Sequence, residues 1–170
     1  MEADDVSRTT LPKGRRARER YLEKRRLYAG GQPNDEARAI HRRFNSSWIP
    51  RLLPIACVLY VRGRSSGEMR SVPLAIVPWR GRWYLASMLG DDANWVLNVR
   101  AARGEASLLH GRRREVRLVE LPPTERPRIL KRYLLFAVGA RPHVEVRWNS
   151  PQREFERVAA HYPVFRVERR

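Results

Sequence analysis

The 170-residue sequence contains one cysteine, Cys57, so an internal disulfide is excluded. It has no uninterrupted apolar run long enough for a membrane span: the longest, Trp48 to Val61, is broken by Pro50, Arg51 and Pro54. The N-terminus, "MEADDVSRTTLPKGRRARER", has no hydrophobic signal core. With Cys57 inside the apolar run "PIACVLYV", a buried structural thiol in a cytosolic protein is expected. No G-x-x-x-x-G-K-[ST] loop and no G-x-G-x-x-G fingerprint occurs, which leaves the common nucleotide folds unsupported. His41, His110, His143 and His161 are far apart with no i,i+4 pair, so no metal site is expected. Acidic residues are also scarce: 18 against 35 basic residues, nearly all arginine, give a net charge of +17.

The basic excess is not a detachable tail, because residues 1–51 hold 13 basic and 7 acidic residues and the surplus continues through the rest of the chain. A positive field of this kind suits nucleic acid, anionic lipid or a small polyanion, and does not choose among them. Apolar residues make up 42%, with five tryptophans and six tyrosines, so a folded body with one core is expected.

Along the chain, "KGRRARERYLEKRRLYAGG" reads as a basic helix stopped by Gly30-Gly31, with Tyr21, Leu22, Leu27 and Tyr28 as a narrow apolar stripe. A second helix is expected from Asn34 or Asp35 as N-cap, ending before Pro50. From Ile55 the chain changes character. "IACVLYVRG", "SVPLAIVPW" and "RWYLASM" read as three strands joined by the turns "RSSGE" and "WRGR". "DDANWVLNVRAA" reads as a helix capped by Asp91 or Asp92, and "ASLLHG" and "REVRLVEL" as two more strands. Helices follow at "ERPRILKRYLLFAV", with Pro127 in its first turn, and at "QREFERVAAHY", capped by Ser150 before Pro151. "PVFRV" closes the chain as a strand. Short connections between antiparallel strands favour an α+β fold, a small barrel with helices packed outside it. The expected division is a basic helical extension, 1–54, and a barrel domain, 55–170.

Residues 61–75, "VRGRSSGEMRSVPLA", concentrate arginine, serine and glycine between two apolar runs. Gly63 to Gly67 match G-x-S-x-G, with Ser65 as nucleophile, but that motif needs a helix after the serine, and "EMRSVPLAIV" with Pro73 reads as a strand. The same turn offers hydroxyls, backbone N–H groups and the Arg62, Arg64 and Arg70 guanidiniums, the donors that phosphate and carboxylate require. A solvated hairpin end is the equal alternative from these residues alone. Trp79, Trp83, Tyr84 and Trp95 could stack on a planar ligand, although aromatic residues in strands more often form core.

Taken in order, G-R-x-S-G, R-x-x-P-L and W-x-x-N, with "LLHGRRREVRLVELPPTERPRILKRYL" and terminal "YPVFRV", resemble the deazaflavin-dependent nitroreductase family from about Ile55 to Val167. That resemblance implies a split β-barrel that binds coenzyme F420 and transfers a hydride from the reduced cofactor to a quinone, nitro compound or activated alkene. It implies that Arg64, Ser65, Ser66, Arg70, Ser71, Val72, Pro73 and Leu74 bind the phosphate and acidic tail. Ala86, Ser87, Met88, Trp95 and Asn98 would line the deazaflavin ring, and no protein nucleophile is needed. Two departures stand out: the family's acceptor-lining tyrosines have no match in "ARPHVEVRWNSPQREFERV", and Met88 replaces a small polar residue. FMN or haem in the same groove, without catalysis, is an alternative. The rival from another class is a basic module touching anionic membrane through the N-terminal helix, with nucleic acid the less favoured partner. Split-barrel relatives also suggest a homodimer.

Overall fold

The computed structural model describes residues 15–28, 32–46 and 53–170. The polar leader, the Gly30-Gly31 stop and Pro50 lie outside them. Two basic helices come first, α1 (Arg15–Arg26) and α2 (Asp35–Ser46). Asn34 begins the second as expected: its Oδ1 accepts the Ala37 N–H at 2.9 Å and satisfies one of the free donors of the first turn.

Seven strands follow, β1 (Ala56–Arg62), β2 (Met69–Ala75), β3 (Val77–Trp79), β4 (Arg82–Ala86), β5 (Glu105–His110), β6 (Arg112–Glu120) and β7 (Val164–Arg169). They form one antiparallel sheet in the order β2-β1-β5-β6-β7-β4-β3. The run "SVPLAIVPW", expected as one strand, is two, because β2 pairs with β1 while β3 pairs with β4. These are the two outermost strands of the sheet, and Ile76 alone joins them. One residue spans only about 3.5 Å, so the sheet has to curl until its opposite edges meet. The result is a curled, split barrel with the seam at Ile76, whose N–H donates to Ile55 O at 3.0 Å. Pro73 is tolerated in β2 because an edge strand has one side free of ladder bonds.

Side chains alternate between the two faces of the curled sheet. Leu59, Leu85, Leu108, Val116 and Phe165 point into the barrel, where Trp95, Val96 and Val99 of α3 (Asn94–Ala101) fill the space between them. Tyr84, Ala86 and Val164 point out and are covered by Leu130, Tyr133 and Leu134 of α4 (Arg126–Phe136) and Phe155 and Val158 of α5 (Gln152–Val158). β1 is buried on both faces, and Cys57 is a fully buried free thiol that donates to Leu74 O at 3.4 Å. Burial pushes that thiol well above its ordinary pKa, so it stays protonated.

Pro127 occupies the first turn of α4, as expected. Two expected caps are replaced. α3 starts after Ala93 with no side-chain cap, and Asp91 instead takes the Arg100 guanidinium at 2.6 Å. α5 starts after Pro151, while Ser150 Oγ accepts the Arg147 N–H at 3.2 Å and turns the preceding loop. The same helix stops at Val158, four residues before Tyr162, and continues as a 3₁₀ turn. The cause is Arg126, buried at 6% exposure, which donates to the Ala159 and Ala160 carbonyls at 3.3 and 3.2 Å, to Leu121 O at 2.8 Å and to Glu120 at 3.1 Å. Among the described residues no helix is long and apolar enough to cross a membrane.

One position fixes how β5 begins. Gly104 has φ +83°, and a Cβ there would lie 2.3 Å from Leu118 O on the neighbouring strand. Gly104→Ala should therefore destabilise the protein by about 2–5 kcal/mol through left-handed strain and overpacking, read as a lower urea midpoint. Gly111→Ala, with positive φ but open space, should cost less than half as much.

Candidate functional site

The β1–β2 hairpin turns tightly between Arg62 and Met69. Gly63 N–H donates to Glu68 O and Gly67 N–H to Gly63 O, both at 2.8 Å, and Gly67 has φ +68°. A Cβ at Gly63 would press on Ser66 Oγ at 2.9 Å, so glycine lets the serine fold over the turn. Ser66 Oγ then accepts the Glu68 N–H at 3.3 Å and an Arg70 N–H at 3.4 Å. Arg70 also pairs with Glu68 at 2.8 Å, both well exposed, which makes this a weak and replaceable pair.

Arg64 is held differently. Its backbone N–H and its Nη1 both donate to Asn98 Oδ1 at 3.1 Å, and Nη1 also reaches Asn94 Oδ1 at 3.2 Å. G-R-x-S-G and W-x-x-N thus meet through one guanidinium and one buried amide oxygen, of Arg64 and Asn98, 34 positions apart in the chain. Nη2 and Nε of Arg64 take no partner among the described residues, leaving a fixed fork directed by its other side.

The hairpin is connected to a second feature. Asn94 Nδ2 donates to Gln32 Oε1 at 2.9 Å, and Gln32 Nε2 donates to Asp92 O at 2.9 Å. Asp92 borders a cavity of ≈ 520 Å³. Its lining combines Met88 and Gly90, which follow β4, with His143, Glu145, His161 and Tyr162 and with Arg25 and Tyr28 of the N-terminal region. Tyr28 Oη lies 2.6 Å from His41 Nε2, and its ring meets His143 edge-on at 5.0 Å between centroids. Burial lowers His41 and raises Tyr28 from their ordinary pKa values, so both are neutral at pH 7.

Of the expected tail-binding residues, Arg64, Ser66 and Arg70 gather at the turn and Ser65 is exposed beside them. Ser71 lies further along β2 and accepts an Asn45 N–H at 3.0 Å, while Val72 and Leu74 pack against the barrel interior and Pro73 lies opposite Val58. Of the expected ring-lining residues, only Met88 borders the cavity. Ala86 packs under the outer helices, Ser87 Oγ donates to Gly90 O at 2.7 Å, and Trp95 packs on Phe165 at 5.3 Å inside the barrel. From the sequence, Tyr28 falls in a helix stripe and His143 is weighed only as a metal ligand, and neither of them, nor Tyr162, is given a place at a ligand cavity. Their aromatic identity was visible, but no short-range spacing signals that residues 28, 143 and 162 converge.

No protein-family model and no curated protein matches the chain. Among solved structures, it is similar to an F420-H2 dependent reductase at 26% identity over 67% of this chain and 94% of that one, with a TM-score of 0.43. It is similar to an F420 reductase at 11% identity over 74% and 94% of the two chains, TM-score 0.41. A third similarity is to a domain-swapped dimer at 24% identity over 79% and 98%, TM-score 0.46.

The cavity wall is sensitive to pH. The His143 imidazole is pushed down to about 4, by burial first and then by the charges of Arg25 and Lys24. Between that value and the unfolded value near 6.5, the folded chain binds fewer protons than the unfolded chain. Stability is therefore complete above about pH 6.5 and declines as pH falls toward 4. Melting temperature should drop across that window, and His143→Phe should make the drop shallower; an unchanged slope would show that His143 is not the titrating group.

Proposed function

We propose that the protein is an F420H2-dependent oxidoreductase whose acceptor is a quinone, nitro compound or activated alkene. One observation carries the reading: the two motifs of the deazaflavin series meet at Arg64 and Asn98, and the meeting point holds a guanidinium fork half-satisfied and half-open. When bound, reduced F420 supplies a hydride, and the protein's part is to hold, orient and enclose.

The donors present fit a ligand with an anionic tail. Arg64 presents its open fork, Arg70 exchanges its exposed Glu68 partner for a ligand oxygen, and Ser65 and Ser66 add hydroxyl donors. Ser71, Val72, Pro73 and Leu74 extend the contact along the edge strand. Met88 faces the ring, and the cavity it borders takes the acceptor. Its volume of ≈ 520 Å³ is ordinary for a small-molecule site. Tyr28 and Tyr162, one from each end of the chain, supply the tyrosines that "ARPHVEVRWNSPQREFERV" lacks. Tyr28 Oη, backed by His41, holds a proton at the cavity wall where a reduced acceptor needs one. FMN is the alternative occupant, with one phosphate to offer the same turn.

Fluorescence titration tests the assignment with F420 and FMN in parallel. The wild type should bind F420 in the micromolar range or better and reduce a quinone or nitroarene with F420H2. Arg64→Ala should weaken F420 binding about 10–100-fold, the worth of one to two charge-assisted bonds, and more so at low salt. Ser65→Ala should change it by less than about 5-fold. No F420 binding by the folded protein overturns the reading, and tighter binding of FMN replaces it with the alternative.

A further inference from the structure

The inner face of β6 carries charge that the proposed reaction does not use. Val116 and Leu108 both face the barrel interior. Arg114 lies directly opposite Leu108, Arg169 directly opposite Val116, and Arg112 opposite His110 at the end of the same hairpin. Directly paired residues share a face, and residues two apart share it too, so the three arginines project to the same inner side. They stand at the rim where the apolar interior gives way to solvent, Arg114 half-buried and Arg112 and Arg169 exposed.

Among the described residues the side chains of Arg112, Arg114 and Arg169 make no hydrogen bond or ion pair, and Arg114 Nε is buried without a partner. The carboxylates nearby in the strands are committed elsewhere: Glu105 to Arg170 at 2.6 Å, Glu168 to Arg166 at 2.7 Å and Glu115 to Ser107 Oγ at 2.5 Å. Burial, followed by the charges of Arg112 and Arg169, lowers the Arg114 pKa from the ordinary guanidinium value. A buried donor left unpaired among like charges is costly, and such groups in folded proteins usually have an unseen partner.

We propose that Arg112, Arg114 and Arg169 form a second anion site at the hairpin end of the barrel interior, which takes a phosphate group. A dianion offsets two of the three charges, and its oxygens match guanidinium forks, whereas a carboxylate offsets only one. The group is either free in solution or carried on a lipid headgroup.

The test uses the full chain in phosphate-free, low-salt buffer. Inorganic phosphate titrated by calorimetry should bind saturably at one site and raise the melting temperature. Arg114→Met should weaken phosphate at least 10-fold, in line with the loss of a charge-assisted contact, and should melt higher than wild type before any anion is added. Arg169→Gln, which removes a cation from the strand end, should weaken phosphate in the same direction if Arg114→Met does not fold. Arg153→Met, at an exposed position of α5, should change neither quantity. Cosedimentation with phosphatidylcholine vesicles containing phosphatidic acid separates the two sources: binding that Arg114→Met abolishes assigns a headgroup, and no vesicle binding assigns a soluble phosphate. Absence of saturable phosphate binding, or an equal loss in Arg153→Met, overturns the site. A parallel loss of F420 affinity in Arg114→Met would overturn its independence from the cofactor turn.

Discussion

The architecture depends on a single connection, the one-residue link at Ile76 between β2 and β3. Because those strands are the two edges of the sheet, their adjacency in the chain requires the other five strands to bend around a common interior. The apolar side chains that face inward on β1, β4, β5, β6 and β7 are then packed by closure, with α3 completing the core between them. The same closure places the β1–β2 hairpin beside α3, which is why Arg64 reaches Asn98. A flat sheet with the same pairings would leave β2 and β3 at opposite ends and the two motifs apart.

A second level of order comes from arginines that act as connectors. Arg126 gathers the end of β6, the start of α4 and the 3₁₀ turn after α5 through four acceptor residues. Glu120 is shared between Arg126 and Arg100, and Arg100 continues to Asp91 at the cavity edge. Unlike the exposed pairs on α1 and α2, this chain is partly withdrawn from water, so each charge depends on the next. The N-terminal region joins the same framework more lightly, through Gln32 to Asp92 and Asn94 and through Tyr28 to the cavity. Its hydrogen bonds tie it to both the hairpin and the cavity, and the arginine excess thus divides into solvated surface, structural connectors and the few guanidiniums left with open donors.

Much of this was legible in local pattern. The alternating apolar runs located β1, β4, β5, β6 and β7, Asn34 marked the start of α2, Pro127 marked α4, and the Gly-Ser turn with its arginines marked the hairpin. The misreadings have one origin. "SVPLAIVPW" contains no turn residue at Ile76, since the break there comes from a change of partner strand and not from local backbone preference. Asp91 and Ser150 have the chemistry of caps, but Arg100 and the Arg147 N–H compete for them. Local propensity is outvoted where a tertiary partner is near.

The sequence by itself determined the strand and helix content, the buried thiol, the basic surface and the donor-rich turn, because each rests on residues within a few positions of one another. Only the tertiary structure decided which arginines are open and which are spent, that Tyr28, His143 and Tyr162 share a cavity with Met88, and that Trp95 is barrel core. Those facts depend on contacts between residues 30 to more than 100 positions apart, and such contacts are set by the closure of the sheet and not by any spacing along the chain.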